Sequence, residues 1–162
     1  MNAVSEHGAP QLRPMREHDL AQIVALEQRA YPFPWSLGIF ADCLRVGYCC
    51  WTLEADAAVA GYCIMSVAAE EAHVLNVCVA PEYRRQGHAR RMLEHLVEVA
   101  RRHRATVIFL EVRPSNPAAI TLYLDFGFRR LAVRRNYYPA QQGREDALVL
   151  ALRLDEAHAA SG

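Results

Sequence analysis

The sequence predicts a mixed α/β domain, a sheet of parallel and antiparallel strands covered by helices. Three observations point there. Short apolar runs alternate with stretches whose apolar residues recur at helical spacing. The run "HVLNVCV" (73–79) passes straight into the most regular helical pattern of the chain, and "TVIFLEV" (106–112) follows it. Two further apolar runs then close the sequence as an expected final strand pair.

In order, residues 1–10 are expected to be a flexible tail, and residues 11–16 a first strand. From His18 to Tyr31 the apolar residues Leu20, Ile23, Val24 and Ala30 form a helical stripe. The prolines of "YPFPWS" stop it, because proline lacks the N–H that the helix ladder needs. Ser36 then suits the N-cap of a second helix reaching about Leu44, since its hydroxyl can accept an orphan N–H. Residues 48–54 and 59–67 read as a hairpin around Asp56, and 73–80 as a third long strand. In the next helix Ala89, Met92, Leu93, Leu96, Val97 and Ala100 fall at i, i+3, i+4, i+7, i+8 and i+11, one continuous face. After "TVIFLEV", Asn116 as cap and Pro117 at the first helical position open a helix that Gly127 closes. Residues 130–137 and 147–154 are the final strands around "PAQQGRED", and 155–162 a second flexible tail. The expected order is β-α-α-β-β-β-α-β-α-β-β, in one domain spanning residues 11–154.

Composition narrows the function. The chain has 162 residues, 52% of them hydrophobic and 22% charged, with 18 basic against 18 acidic residues. Zero net charge argues against a polyanion partner, so no direct nucleic-acid binding is expected. All the basic residues are arginine, which removes lysine nucleophiles and the P-loop lysine. The five cysteines form no CxxC and the histidines no HExxH or HxxxH, so no metal site or disulfide framework is expected. Scattered thiols, no signal-like N-terminus and no apolar run long enough to span a bilayer give a cytoplasmic, non-membrane expectation, with a monomer as the simplest state.

The junction at residues 80–91 is where a ligand could be held. Unpaired amides and the positive end of the dipole make a helix N-terminus an anion site, and a glycine lets a ligand approach the backbone. Arg84 and Arg85 add charge that suits a pyrophosphate. Equally, Gly87 could serve only a tight turn with the arginines solvated. Residues alone leave those two readings open.

"RRQGHA" (84–89) resembles the (Q/R)-x-x-G-x-(G/A) signature of the GNAT superfamily of acetyl-CoA-dependent acetyltransferases. "FPWS" (33–36), "LEVRPSNPAAITLY" (110–123) and "RRNYYP…GREDALVL" (134–150) extend the resemblance, in the same order, to members that acetylate bacterial ribosomal-protein N-termini. Arg84 stands where close relatives often have glutamine, and Ala89 replaces the last glycine. The resemblance implies a GNAT fold, a sheet of about six to seven strands with four helices, and acetyl-CoA as co-substrate without a metal. It also implies a reaction: acetyl transfer to the N-terminal alanine of the eighteenth protein of the small ribosomal subunit. Two alternatives remain, a broader N-terminal or lysine acetyltransferase and a non-catalytic acyl-CoA-binding module of the ribosome.

Site residues follow from the same resemblance. Glu111 matches the family's general base; on residues alone it could equally be a strand-end carboxylate paired with Arg113. Tyr123 matches the general acid, against a plain core tyrosine. Val77, Cys78 and Val79 would bind pantetheine and polarise the thioester, on a strand the family splays from its neighbour. Arg85, Gln86, Gly87, His88, Ala89 and Arg90 would enclose the pyrophosphate. Asn116 would be another coenzyme A contact, a role competing with its helix cap. Trp35, Tyr137 and Tyr138 would flank the peptide groove, or simply cover the core.

Overall fold

A computed structural model describes residues 9–155, so most of both expected tails, 1–8 and 156–162, lies outside the described residues. The elements are β1 Gln11–Pro14, α1 Leu20–Ala30, α2 Leu37–Arg45, β2 Cys49–Ala55, β3 Ala58–Ala68 and β4 Glu71–Val79. After these come α3 His88–Arg102, β5 Val107–Val112, α4 Pro117–Phe126, β6 Arg129–Pro139 and β7 Arg144–Arg153. Short 3-10 turns at Glu17–Asp19 and Pro81–Tyr83 precede α1 and α3. The expected order of strands and helices is the observed one. The strands form one mixed sheet in the order β1-β2-β3-β4-β5-β7-β6.

The chain divides into two compact units, residues up to 64 with 76–92, and residues 65–75 with 93 onward. In the first, β1 pairs antiparallel with β2 from Gln11↔Glu54 to Pro14↔Trp51. Its core holds Ile23, Phe40, Leu53 and Tyr62, all fully buried. Trp35, Phe40 and Tyr62 stack in sequence, with centroids 5.3 and 5.5 Å apart. The α1 face leans on a charged anchor: Arg13 holds the buried Asp19 carboxylate through two N–H groups at 2.8 and 2.7 Å. Ser36 caps α2 as expected, its Oγ accepting from the Ile39 N–H at 3.3 Å. β3 and β4 come unusually close: a Cβ at Gly61 would stand 2.6 Å from the Cys78 carbonyl oxygen. Glycine is required there by space.

In the second unit β4 and β5 pair in parallel from Glu71↔Val107 to Val74↔Leu110, and the ladder stops there although both strands continue. Parallel neighbours need a crossover, and α3 supplies it. Its predicted stripe is the buried one: Met92, Leu93, Leu96 and Ala100 are all at or near zero exposure. Burying each large side chain stabilises by about 1.5–3 kcal/mol. β7 enters between β5 and β6, antiparallel to both, so β6 is an edge strand. Here the structure corrects a boundary. β7 begins at Arg144 rather than Ala147, because the polar "RED" is paired: Glu145 stands opposite Tyr138 and Arg144 opposite Pro139.

Candidate active site

In the first unit the end of β4 and the following loop carry the expected cofactor residues. Arg85 and Gly87 both have left-handed backbone, φ +61° and +81°. The Gly87 carbonyl accepts the first helical bond of α3, from the Arg91 N–H at 3.0 Å, so Gly87 is the half-in residue at the helix start. The amides of the first turn beyond it have no carbonyl one turn earlier to bond. Nothing stands within 4 Å of where a Gly87 Cβ would be. That open space leaves room for an anionic group to approach the backbone at the helix start. Arg85, Gln86, Gly87 and Arg90 are exposed, with His88 and Ala89 half-buried. Burial, with Arg91 nearby, holds the His88 imidazole below its ordinary range. Arg84, in contrast, is turned back: its Nε donates to the Val79 carbonyl at 3.2 Å. The Val77 carbonyl accepts the Tyr31 hydroxyl at 2.7 Å. Cys78 is buried, which pushes its thiol up to about 11 and keeps it an unreactive hydrophobe.

The acid and base candidates lie in the second unit. β5 alternates, with Ile108, Leu110 and Val112 buried on one face and Glu111 on the other. The Glu111 side chain is still only 6% exposed. Its Oε2 is hydrogen-bonded to His73 Nε2 on β4, and Arg134 Nε on β6 lies 3.8 Å from Oε1. Arg113, the rival partner, is engaged by other groups. Arg113 donates to the Pro139 carbonyl at 2.8 Å and to Glu145 at 3.3 Å. Glu145 also takes the Ser115 N–H at 2.8 Å and hydroxyl at 3.0 Å, fixing the loop that leads into α4. These partners hold the Glu145 carboxyl below its usual range, Ser115 most of all.

Tyr123 sits on α4 with its ring edge-on to Phe128 at 5.9 Å. Burial pushes its phenol up to about 12. Among the described residues its hydroxyl has no hydrogen-bond partner. Asn116 caps α4, its Oδ1 accepting the Ala119 N–H at 3.2 Å, so the cap role is occupied.

Tyr137 and Tyr138 meet edge-on at 4.8 Å on a bulged stretch of β6. The bulge is pinned at Asn136, φ +54°, a conformation asparagine tolerates better than most residues. Asp146 accepts the Asn136 N–H at 2.9 Å, and Arg144 donates to the carbonyls of Asn136 at 2.7 Å and Tyr137 at 2.9 Å. The "RRNYYP" and "GRED" segments are thus the two halves of one clamp. Guanidinium groups stand over both rings, Arg134 at 5.5 Å from Tyr137 and Arg113 at 4.3 Å from Tyr138. Trp35, in the first unit, is half-buried against Phe40.

Two residues escaped the sequence reading. His73 is one. The other is Glu27, 2% exposed, whose carboxylate accepts from Tyr62 OH at 2.6 Å, Asn76 Nδ2 at 2.9 Å and the Trp35 N–H at 3.0 Å. Its signal was present: it falls at i+4 from Ile23 and i+7 from Leu20, a carboxylate on the apolar stripe of α1. No group of residues that could hold a metal ion occurs among the described residues, and no helix there is long and apolar enough to cross a membrane.

Residues 18–128 match the model of the Acetyltransferase (GNAT) family. The [ribosomal protein bS18]-alanine N-acetyltransferase of Escherichia coli K12 is 42% identical, over 83% of this chain and 90% of that protein. The crystal structure of the ribosomal-protein-S18-alanine N-acetyltransferase from Escherichia coli superposes with a TM-score of 0.83. It is 39% identical and covers 90% of this chain and 94% of its own. A Salmonella typhimurium protein solved with its cofactor acetyl-CoA, 20% identical over 91% of this chain and 95% of that one, shares the fold at a TM-score of 0.77.

Proposed function

The chain belongs to the Acetyltransferase (GNAT) family, and on that premise we propose that it moves an acetyl group from acetyl-CoA to the α-amine of the N-terminal alanine of ribosomal protein bS18. The observation that carries this reading is the near full-length likeness, at 42% identity, to a protein named for that reaction. Residues 11–154 act as the catalytic domain, in the cytoplasm.

When bound, acetyl-CoA supplies an activated thioester. The chain supplies placement and proton transfers. Arg85, Gln86, Gly87, His88, Ala89 and Arg90 hold the pyrophosphate through backbone amides and the helix dipole. A thioester carbonyl is polarised only by donors, so in the stretch Val77, Cys78 and Val79 it is amide N–H groups facing the thioester, not the carbonyls, that do the polarising. Asn116 contributes to this co-substrate as well as capping α4.

An ammonium has no lone pair, and a chain-terminal amine titrates at about 7.7–8.0, so most of it must lose a proton before attack. Glu111 receives that proton. Tyr123 keeps its own proton throughout the physiological range and donates it to the departing sulfur. The burial that raises this phenol would equally raise a thiolate left in the same surroundings, so it does not widen the mismatch between donor and acceptor. Trp35, Tyr137 and Tyr138 receive the peptide.

The test is mass spectrometry of peptides with free N-termini incubated with acetyl-CoA. The bS18 sequence beginning with alanine is expected to be acetylated fastest. Equal rates for peptides beginning Ala, Ser, Gly, Met and Thr would replace this reading with a broad-specificity one.

A further inference from the structure

We infer that His73 carries the substrate's proton from Glu111 to water. The inference rests on Glu111 being the base. A base used in every turnover must be emptied as often as it is filled, and the Glu111 side chain has little contact with solvent, 6% exposed. His73 is joined to it through Nε2 and is itself a third exposed. The contact runs diagonally across the parallel pair β4–β5, from His73, opposite Phe109 in the ladder, to Glu111, one residue past the last pair, Val74↔Leu110.

The other groups facing Glu111 cannot perform this task. Arg134, 3.8 Å from Oε1, stays charged and has no acceptor. Tyr138 of β6 feels the Glu111 charge, but burial pushes its phenol up, so it keeps its proton, and Arg113 lies over its ring. An imidazole both accepts and releases protons readily near neutral pH. Among the described residues His73 is therefore the neighbour able to exchange protons with water.

The proton count closes. The substrate's N–H bond breaks and an O–H bond forms on Glu111. With the ring proton on Nδ1, Glu111 Oε2 passes its proton to His73 Nε2, and the imidazolium releases the Nδ1 proton to water. One proton enters and one leaves; Glu111 is again a carboxylate, the ring is neutral, and exchange with solvent resets its tautomer. His73 touches no reacting atom and acts through Glu111.

The test compares His73→Ala and His73→Asn with the unmodified enzyme, on bS18 peptide under saturating acetyl-CoA and across a series of imidazole concentrations. Both variants are expected to lose roughly tenfold in kcat, less than the ~10²–10⁴ for loss of the base itself, with the KM for acetyl-CoA unchanged. Imidazole is expected to restore His73→Ala in proportion to its concentration and to leave the unmodified enzyme and Glu111→Gln unaffected. His73→Asn keeps a hydrogen-bond donor without a proton route, so an unimpaired kcat there overturns the inference in favour of mere orientation of Glu111. A loss in both that imidazole does not recover overturns it in favour of packing, and thermal melts of each variant confirm that folded protein was assayed. Glu111→Gln at full rate would instead remove the base assignment on which this rests.

Discussion

The backbone N–H of Trp35 donates a 3.0 Å hydrogen bond to the buried carboxylate of Glu27, so the loop before α2 is tied to the apolar side of α1. Tyr62 and Asn76 donate to the same group, and burial without such partners would cost several kcal/mol. Glu27→Gln keeps one carbonyl oxygen for Tyr62 and Asn76 and presents an N–H₂ to the Trp35 N–H. A loss of about 1–3 kcal/mol is expected from that donor facing a donor. Urea unfolding measures it; an unchanged midpoint would show that the loop is held by the ring contacts of Trp35 and Phe40 alone.

At Gly87 two effects must be separated. With φ at +81°, any side chain brings backbone strain, about 1–2 kcal/mol for an ordinary residue. Asparagine tolerates this conformation, so Gly87→Asn should stay folded while filling the open space above the backbone. Acetyl-CoA affinity by calorimetry is expected to fall at least tenfold, about 1.4 kcal/mol. Full affinity in a folded Gly87→Asn protein would move the pyrophosphate elsewhere.

Asp19 predicts how the fold responds to acid. Hydrogen bonds from Arg13 hold its carboxyl below the ordinary value near 4, so the folded state binds the proton more weakly than the unfolded chain. The stabilisation is complete above that ordinary value and is lost as pH falls through the folded one. Asp19→Asn should cost roughly 3 kcal/mol at neutral pH and progressively less as pH falls through the lowered folded value, where the native carboxyl is itself being protonated. The comparison is a set of urea midpoints across that range, and a penalty independent of pH would assign the effect to packing.

Tyr123 makes a prediction about the shape of a rate profile as well as its height. Its phenol, pushed up to about 12, is a donor at every practical assay pH. No fall in kcat from loss of this acid is expected below pH of about 11, and Tyr123→Phe should lower the whole curve without bending it. The expected drop is about 10²–10⁴. Equal rates for the two enzymes would make Tyr123 a core residue.

Much of this was legible in the chain itself. The α3 stripe, the Ser36 and Asn116 caps and the order of all strands and helices follow from periodicity and end signals within a few residues of one another. What escaped depends on distant pairing. His73 and Glu111 are 38 positions apart and meet only because β4 and β5 lie in one register. Arg113 meets Glu145, whose place opposite Tyr138 is set by the β6–β7 ladder. The same ladder makes strand of the polar "RED", which by composition alone reads as turn. Glu27 was visible as a charge on an apolar face, yet its three donors come from the loop at Trp35, β3 and β4, and no local pattern names them.

The central claim of the proposed function is that a carboxylate at Glu111 deprotonates the N-terminal amine of the substrate. Glu111→Gln keeps the side chain's shape and removes its basicity. Acetylation of an alanine-led bS18 peptide, followed by mass spectrometry at neutral pH with both substrates saturating, tests it most directly. The variant is expected to bind acetyl-CoA as the unmodified enzyme does and to turn over about 10²–10⁴ times more slowly, with part of the rate recovered as pH rises past the amine's own range. A Glu111→Gln enzyme that is folded and acetylates the peptide at the unmodified rate at every pH would contradict it.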